Sequence, residues 1–159
     1  MLHAAAALFA AAYQLPDRWL TFSRAPAFDR RITIVEVGTV SDNPAERHYW
    51  FKRTVRKGRA TQVWFADTMR CPAARWVVDE VKDVAPPQIT FPGDPSTADE
   101  IIVTADGASY VIEVSARYGK NIGSDIRFTS NVHTPLADWA DESLRRLDPC
   151  WSKVVPVVR

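Results

Sequence analysis

The sequence predicts an α+β fold, an antiparallel, hairpin-built β-sheet with two packed helices, stapled by one disulfide. Three observations predict it. Runs rich in β-branched and aromatic residues recur between turn-forming clusters, as the strands of a half-buried sheet do. Two segments opened by a proline, at Pro72 and Pro135, carry apolar residues at helical spacing. The two cysteines, Cys71 and Cys150, stand just before the first of these segments and just after the second.

"RWLTFSRA" and "RRITIVEVGTV" form the first two strands, bounded by "PAFD" and "SDNP". "RHYWFKRTVRKGRATQVWFADTM" reads as a hairpin turning near Lys57-Gly58; a two-residue turn there sets Phe51 opposite Trp64 and Trp50 opposite Phe65. "EIIVTADGASYVIEVSARY" is a second hairpin, because Asp106-Gly107 supplies the left-handed residues of a type I′ turn. It pairs Ala105 with Ala108, Val103 with Tyr110 and Ile101 with Ile112, gathering one apolar face. "SDIRFTSNV" adds a further strand.

The first helix is expected over residues 72–84, with Ala73, Trp76, Val77, Val81 and Val84 on its inner face. Its valines lose rotamer freedom in a helix, so a strand competes with it, and Ala85-Pro86-Pro87 ends either one. The connector "APPQITFPGDPSTAD" follows as an extended loop. The second helix, 135–148, is capped by Thr134 and turns Leu136, Trp139, Ala140, Ser143, Leu144 and Leu147 inward. Its acids gather at the N-terminal end and Arg145 and Arg146 at the C-terminal end, with Asp141–Arg145 and Glu142–Arg146 spaced as i,i+4 pairs.

The chain of 159 residues, 47% apolar, has enough bulk for one packed core. "MLHAAAALFAAAYQLP" resembles a signal peptide: residues 1–12 form an apolar leader with Ala10 and Ala12 in a small-x-small pattern before Tyr13, and residues 13–159 form a single domain. The positive n-region is missing, so an alanine-rich helix packed on the domain is the competing reading. No segment is long enough to span a bilayer.

Export and the cysteines support one another, since an oxidising compartment lets Cys71 and Cys150 pair. Such a bridge closes a loop of about eighty residues and stabilises the fold by about 4.5 kcal/mol on the chain-entropy model. Two inert buried thiols, or a nucleophile, are the alternatives; no C-x-x-C favours redox chemistry.

No metal or cofactor motif occurs: His3, His48 and His133 stand singly. Ser124 or Ser130 with His133 and Asp125 could be assembled into a triad on paper, but no G-x-S-x-G elbow anchors it. "GKNIGSD", residues 119–125, lacks P-loop spacing and reads as a loop between strands. Asp67 alternates with apolar neighbours and is expected as a strand-end acid paired to an arginine. A basic run, Arg47, Lys52, Arg53, Arg56, Lys57 and Arg59, interleaves with Tyr49 and Trp50 and forms a candidate anionic-ligand patch, since cations meet phosphates or sulfates while aromatic faces stack on bases or sugars. An ordinary exposed hairpin is the competing reading, and a net charge of +1 is too small to suggest a dedicated polyanion binder; if the run does bind, export makes an envelope component or polyanion the partner class ahead of nucleic acid.

At "RCPAARW", "PPQITFPG", "DGASY" and "PLADWADESLRRLDPCW" the chain resembles short uncharacterised exported proteobacterial proteins that share a Cys-Pro-Ala helix start, a D-G hairpin and a closing P-L-x-x-W helix ending in Cys-Trp. The likeness spans residues 71–151 and implies a periplasmic or secreted location, with no activity attached. It is also similar, more faintly, to surface-adhesin protein E-like domains, which are small, β-rich and exported. The expected class is therefore a non-enzymatic exported binding or interaction module. A small hydrolase bringing Asp67, His133 or Asp125 together in a cleft, and an enzyme inhibitor presenting loop 88–99, are the alternatives.

Overall fold

The computed structural model describes residues 15–40, 47–87, 107–118 and 122–157. Six strands lie in one sheet: β1 Arg18–Pro26, β2 Arg31–Thr39, β3 Tyr49–Lys57, β4 Ala60–Asp67, β5 Ala108–Tyr118 and β6 Ile122–Ser130. Helix α1, Arg75–Val81, follows β4 through a 3₁₀ turn at Pro72–Ala74; helix α2, Pro135–Leu147, follows β6 and runs into a second 3₁₀ turn at Asp148–Cys150. The α+β architecture, the hairpin-built antiparallel sheet and the disulfide are as predicted. The expected leader 1–12, loop 88–99 and hairpin arm 101–106 lie outside the described residues.

The strand order is β4-β3-β2-β1-β5-β6, with every neighbouring pair antiparallel. Three of the five ladders join strands consecutive through a tight connection, whereas β1 meets β5 across most of the chain, Leu20 opposite Val114 and Pro26 opposite Ala108. Both edges of β5 are thereby taken. Tyr110 lies between Arg24 and Ser130, and Ile112 between Phe22 and Phe128, in place of the Val103 and Ile101 expected from the Asp-Gly signal. A turn dipeptide fixes a local reversal only; the β1–β5 ladder aligns Leu20 and Phe22 with Ile112 on one core face, and burying such side chains contributes about 1.5–3 kcal/mol each. The β5–β6 register sets Tyr118 opposite Ile122, so β6 starts two residues before the expected strand and absorbs most of "GKNIGSD".

Period-2 alternation places Leu20, Phe22, Val35, Val37, Phe51, Tyr110 and Ile112 on one face, where they meet Ala74, Val77, Leu136, Ala140 and Leu147 from the helices. Phe22 packs edge-on against Trp139, centroids 4.8 Å apart. A register shift between Arg18 and Leu20 brings Trp19 against the same core.

Helix α1 is shorter than its predicted span, but Val77 is buried and Trp76, Val81 and Val84 pack against the core as expected. Only the start differs: residues 72–74 form a tighter 3₁₀ turn that buries Ala74 in place of the expected Ala73, which is exposed, and no side chain caps it. Helix α2 forms as predicted: Thr134 Oγ1 accepts from the Ala137 backbone N–H at 3.2 Å, and Leu136, Trp139, Ala140, Ser143 and Leu147 are buried. Glu142 pairs with Arg146 as expected and also takes Arg145, which leaves Asp141 for the sheet. Asp141 receives the Tyr110 hydroxyl at 2.7 Å and the Arg24 guanidinium at 2.9 Å, a clamp between α2, β1 and β5 in place of the expected Asp141–Arg145 pair.

The disulfide joins Cys71 and Cys150 with Cα atoms 5.7 Å apart, a separation that an unstrained bridge spans. It ties the entrance of α1 to the exit of α2. On the sheet's other face Glu36 bridges Arg18 and Lys52, and the Trp50 ring lies flat over Gly38.

Candidate anion-binding groove

The β3–β4 hairpin turns through Gly58 and Arg59, with Lys57 opposite Ala60. Gly58 has φ 58°, so the left-handed residue comes first in the turn, where glycine is needed. The register is therefore shifted by two from the expected one: Phe51 faces Ala66 and Trp50 faces Asp67, while Arg53 faces Trp64 and Lys52 faces Phe65. Cations now stand opposite aromatic rings.

Alternation along β3 divides the basic run. Arg53 and Lys57 project on the helix-bearing face beyond the helices; Lys52 and Arg56 project on the other face, where Lys52 is held 2.7 Å from Glu36. Arg47 precedes the strand and its carbonyl accepts from Arg75; Arg59 is exposed in the turn. Tyr49 and Trp50 are buried, 7% and 3% exposed, so their rings offer no face to a ligand, contrary to the stacking role expected of them. The sequence shows their aromaticity but not that Tyr49 packs into the core while Trp50 closes over Gly38 on the opposite face.

The aromatic faces come from Trp64 and Trp151. The Arg53 guanidinium carbon lies 4.5 Å from the Trp64 ring centroid and 4.8 Å from that of Trp151, and Lys153 Nζ lies 4.1 Å from Trp64 while donating to the Val63 carbonyl. Trp151 and Lys153 reach β4 because the disulfide holds Cys150 beside it. Ser152 then makes two backbone hydrogen bonds with Phe65, each 2.8 Å. Only the register of the hairpin and the pairing of the cysteines, taken together, bring these residues to Arg53; neither is visible in the local pattern around Trp151.

A groove of about 410 Å³ opens along this face, lined by Arg31, Thr33, Arg53, Val55, Lys57, Ala60, Gln62 and Trp64. Arg53 is its fixed cation. Its side chain is 20% exposed, its Nε is buried without a hydrogen-bond partner, and its one carboxylate, Asp148, sits 3.5 Å away and is 77% exposed. Burial pulls its pKa below the usual arginine value, partly offset by Asp148, and an arginine so placed remains charged at neutral pH. Arg31 pairs with Asp29 at 3.4 Å; among the described residues no carboxylate lies within ion-pair distance of Arg56, Lys57 or Arg59.

The other candidates are not brought together. Asp67 accepts from the backbone N–H groups of Met69 and Arg70 and pairs with the Arg70 side chain at 3.7 Å, the strand-end role expected of it. Asp125 lies on β6, at the opposite edge of the sheet from β4, five strand spacings or roughly 24 Å away. Ser130 bonds to Thr134, and His48 to Thr68. A second groove between the helices is acidic, with Glu80, Asp83, Asp138 and Glu142 beside Trp76 and Trp139. Among the described residues no His, Cys, Asp and Glu side chains gather into a group able to hold a metal, and no helix is long and apolar enough to cross a membrane.

Fold and site together define a disulfide-stapled α+β domain with a cationic, tryptophan-backed groove on its sheet. No protein-family model, no curated protein and no solved structure matches the chain.

Proposed function

We propose that the protein is a periplasmic or secreted, non-enzymatic binding domain that takes an anionic partner, an envelope component or polyanion, in the groove between Arg31, Arg53 and Lys57. The observation that carries this reading is the state of Arg53. A guanidinium held by two indole rings has already lost its conformational freedom, so little ordering remains to oppose binding, and it faces a groove with only a solvated carboxylate for company. The disulfide supports the exported location, since cytosolic thiols stay reduced. The resemblance to exported proteobacterial proteins agrees with it.

The test is retention on a sulfated-glycan column. Replacing Arg53 and Lys57 with Gln lowers the eluting salt concentration, whereas Lys52→Gln, on the opposite face and already neutralised, leaves it nearly unchanged. Equal elution of all three proteins would sink the reading.

A further inference from the structure

Arg31 lies opposite Lys57, so the β1–β2 reversal that ends at Arg30 and the β3–β4 turn at Gly58-Arg59 share one end of the sheet. The first reversal is anchored by the Ala27 N–H, which donates to the Gly107 carbonyl at 3.0 Å. At its tip Phe28 is 82% exposed, the most solvent-exposed large apolar side chain among the described residues; Ile32, in the next strand, is 41% exposed. A lone exposed apolar residue needs no explanation. Phe28 differs in its company, since Arg30, Arg31, Arg56, Lys57 and Arg59 surround this end and Asp29 is the carboxylate within the two turns. With a net charge of only +1 for the whole chain, this is a local concentration of cations among the described residues, of the kind that attracts an anionic surface.

We propose that this end of the sheet docks on an anionic phospholipid bilayer, Phe28 entering the headgroup–acyl boundary while the flanking cations meet lipid phosphates and the groove at Arg31, Arg53 and Lys57 receives one headgroup. The proposal rests on the anion-binding reading of the groove and names its source. An apolar anchor ringed by arginines and lysines fits a lipid surface better than a soluble glycan, because a glycan gives the phenyl ring nothing to enter.

Co-sedimentation with vesicles of mixed phosphatidylglycerol and phosphatidylcholine, against vesicles of phosphatidylcholine alone, tests it beside the sulfated-glycan column. The protein binds the anionic vesicles only, and less at high salt. Phe28→Ser weakens vesicle binding by about tenfold or more, the worth of one buried phenyl group, and leaves glycan retention unchanged; its fold is checked by thermal unfolding. Glycan retention without vesicle binding overturns the bilayer proposal and leaves the anion-binding reading standing. Binding to neither overturns both. Vesicle binding that ignores Phe28→Ser overturns docking through this end.

Discussion

Arg53 stands opposite Trp64 in the β3–β4 ladder, its guanidinium carbon 4.5 Å from the centre of the indole. That pairing makes one side chain both a packing element and the charge of the groove, and the two roles separate by substitution. Arg53→Met keeps a long stem between Trp64 and Trp151 and removes the charge. Thermal stability should change by less than about 1.5 kcal/mol, as for a volume-conserving swap, while anion retention falls; a fall in stability with retention intact would contradict the assignment.

Reduction of the disulfide should cost up to about 4.5 kcal/mol of unfolding free energy on the chain-entropy model, read from urea curves with and without reductant. It should also weaken anion retention below the unfolding midpoint, because Trp151 and Lys153 are held to β4 through Cys150 and the Ser152–Phe65 bridge. Retention indifferent to reductant would show that the tail holds its place without the bond.

Gly38 is predicted to reject any side chain. A Cβ there would clash with the Trp50 ring, and the ring is itself 3% exposed with little room to move. Gly38→Ala should destabilise by about 1–3 kcal/mol, the usual cost of overpacking, measured as a lowered urea midpoint. Gly58→Ala should destabilise for a different reason, its positive φ, with open space around it.

Acid should loosen the fold through two carboxylates. Hydrogen bonds from Arg145, then Arg146, lower the Glu142 pKa to about 2; for Glu36 burial raises the pKa, but hydrogen bonds from Lys52 and Arg18 lower it further, below the usual carboxylate value. A carboxylate with a depressed folded-state pKa stabilises the fold above its unfolded pKa of about 4.5 and loses that contribution as pH falls through the folded value. Stability should therefore decline from about pH 4.5 toward pH 2, and Glu36→Gln should flatten part of that slope. A decline unchanged by Glu36→Gln would remove Glu36 from the account.

Tyr110→Phe deletes the hydroxyl that joins Arg24 to Asp141. The loss should be about 1 kcal/mol, with α2 loosened on the sheet, seen as faster amide exchange in the helix. Protection factors equal to those of the parent would show that the Arg24–Asp141 pair suffices.

Most of the architecture was legible because it rests on period and punctuation. The alternation of β1 and β2, the Pro135 start and Thr134 cap of α2, and the flanking of the helices by Cys71 and Cys150 each carry a local signal that the fold obeys. What failed was long-range or fine-grained. The β5 partner is chosen by the apolar face of Phe22, distant in sequence, over the Asp106-Gly107 turn beside it. The β3–β4 register depends on which residue of Lys57-Gly58-Arg59 takes positive φ, and a two-residue slip there exchanged Phe51 for Arg53 opposite Trp64. The site suffered most from that slip. Trp151 reads as the tail of a helix, and its place over Arg53 follows from the neighbouring Cys150's bond to Cys71, the Ser152–Phe65 bridge and the hairpin register together.

The place of β1 at the centre of the sheet has a consequence for how the chain is made. Its β2 side can zip at once, but its β5 side waits for residues that emerge nearly a hundred positions later, Leu20 for Val114. During synthesis the nascent polypeptide therefore carries an unsatisfied strand bearing Leu20 and Phe22. Chains ended before Ala108 keep that strand raw and should stick to one another.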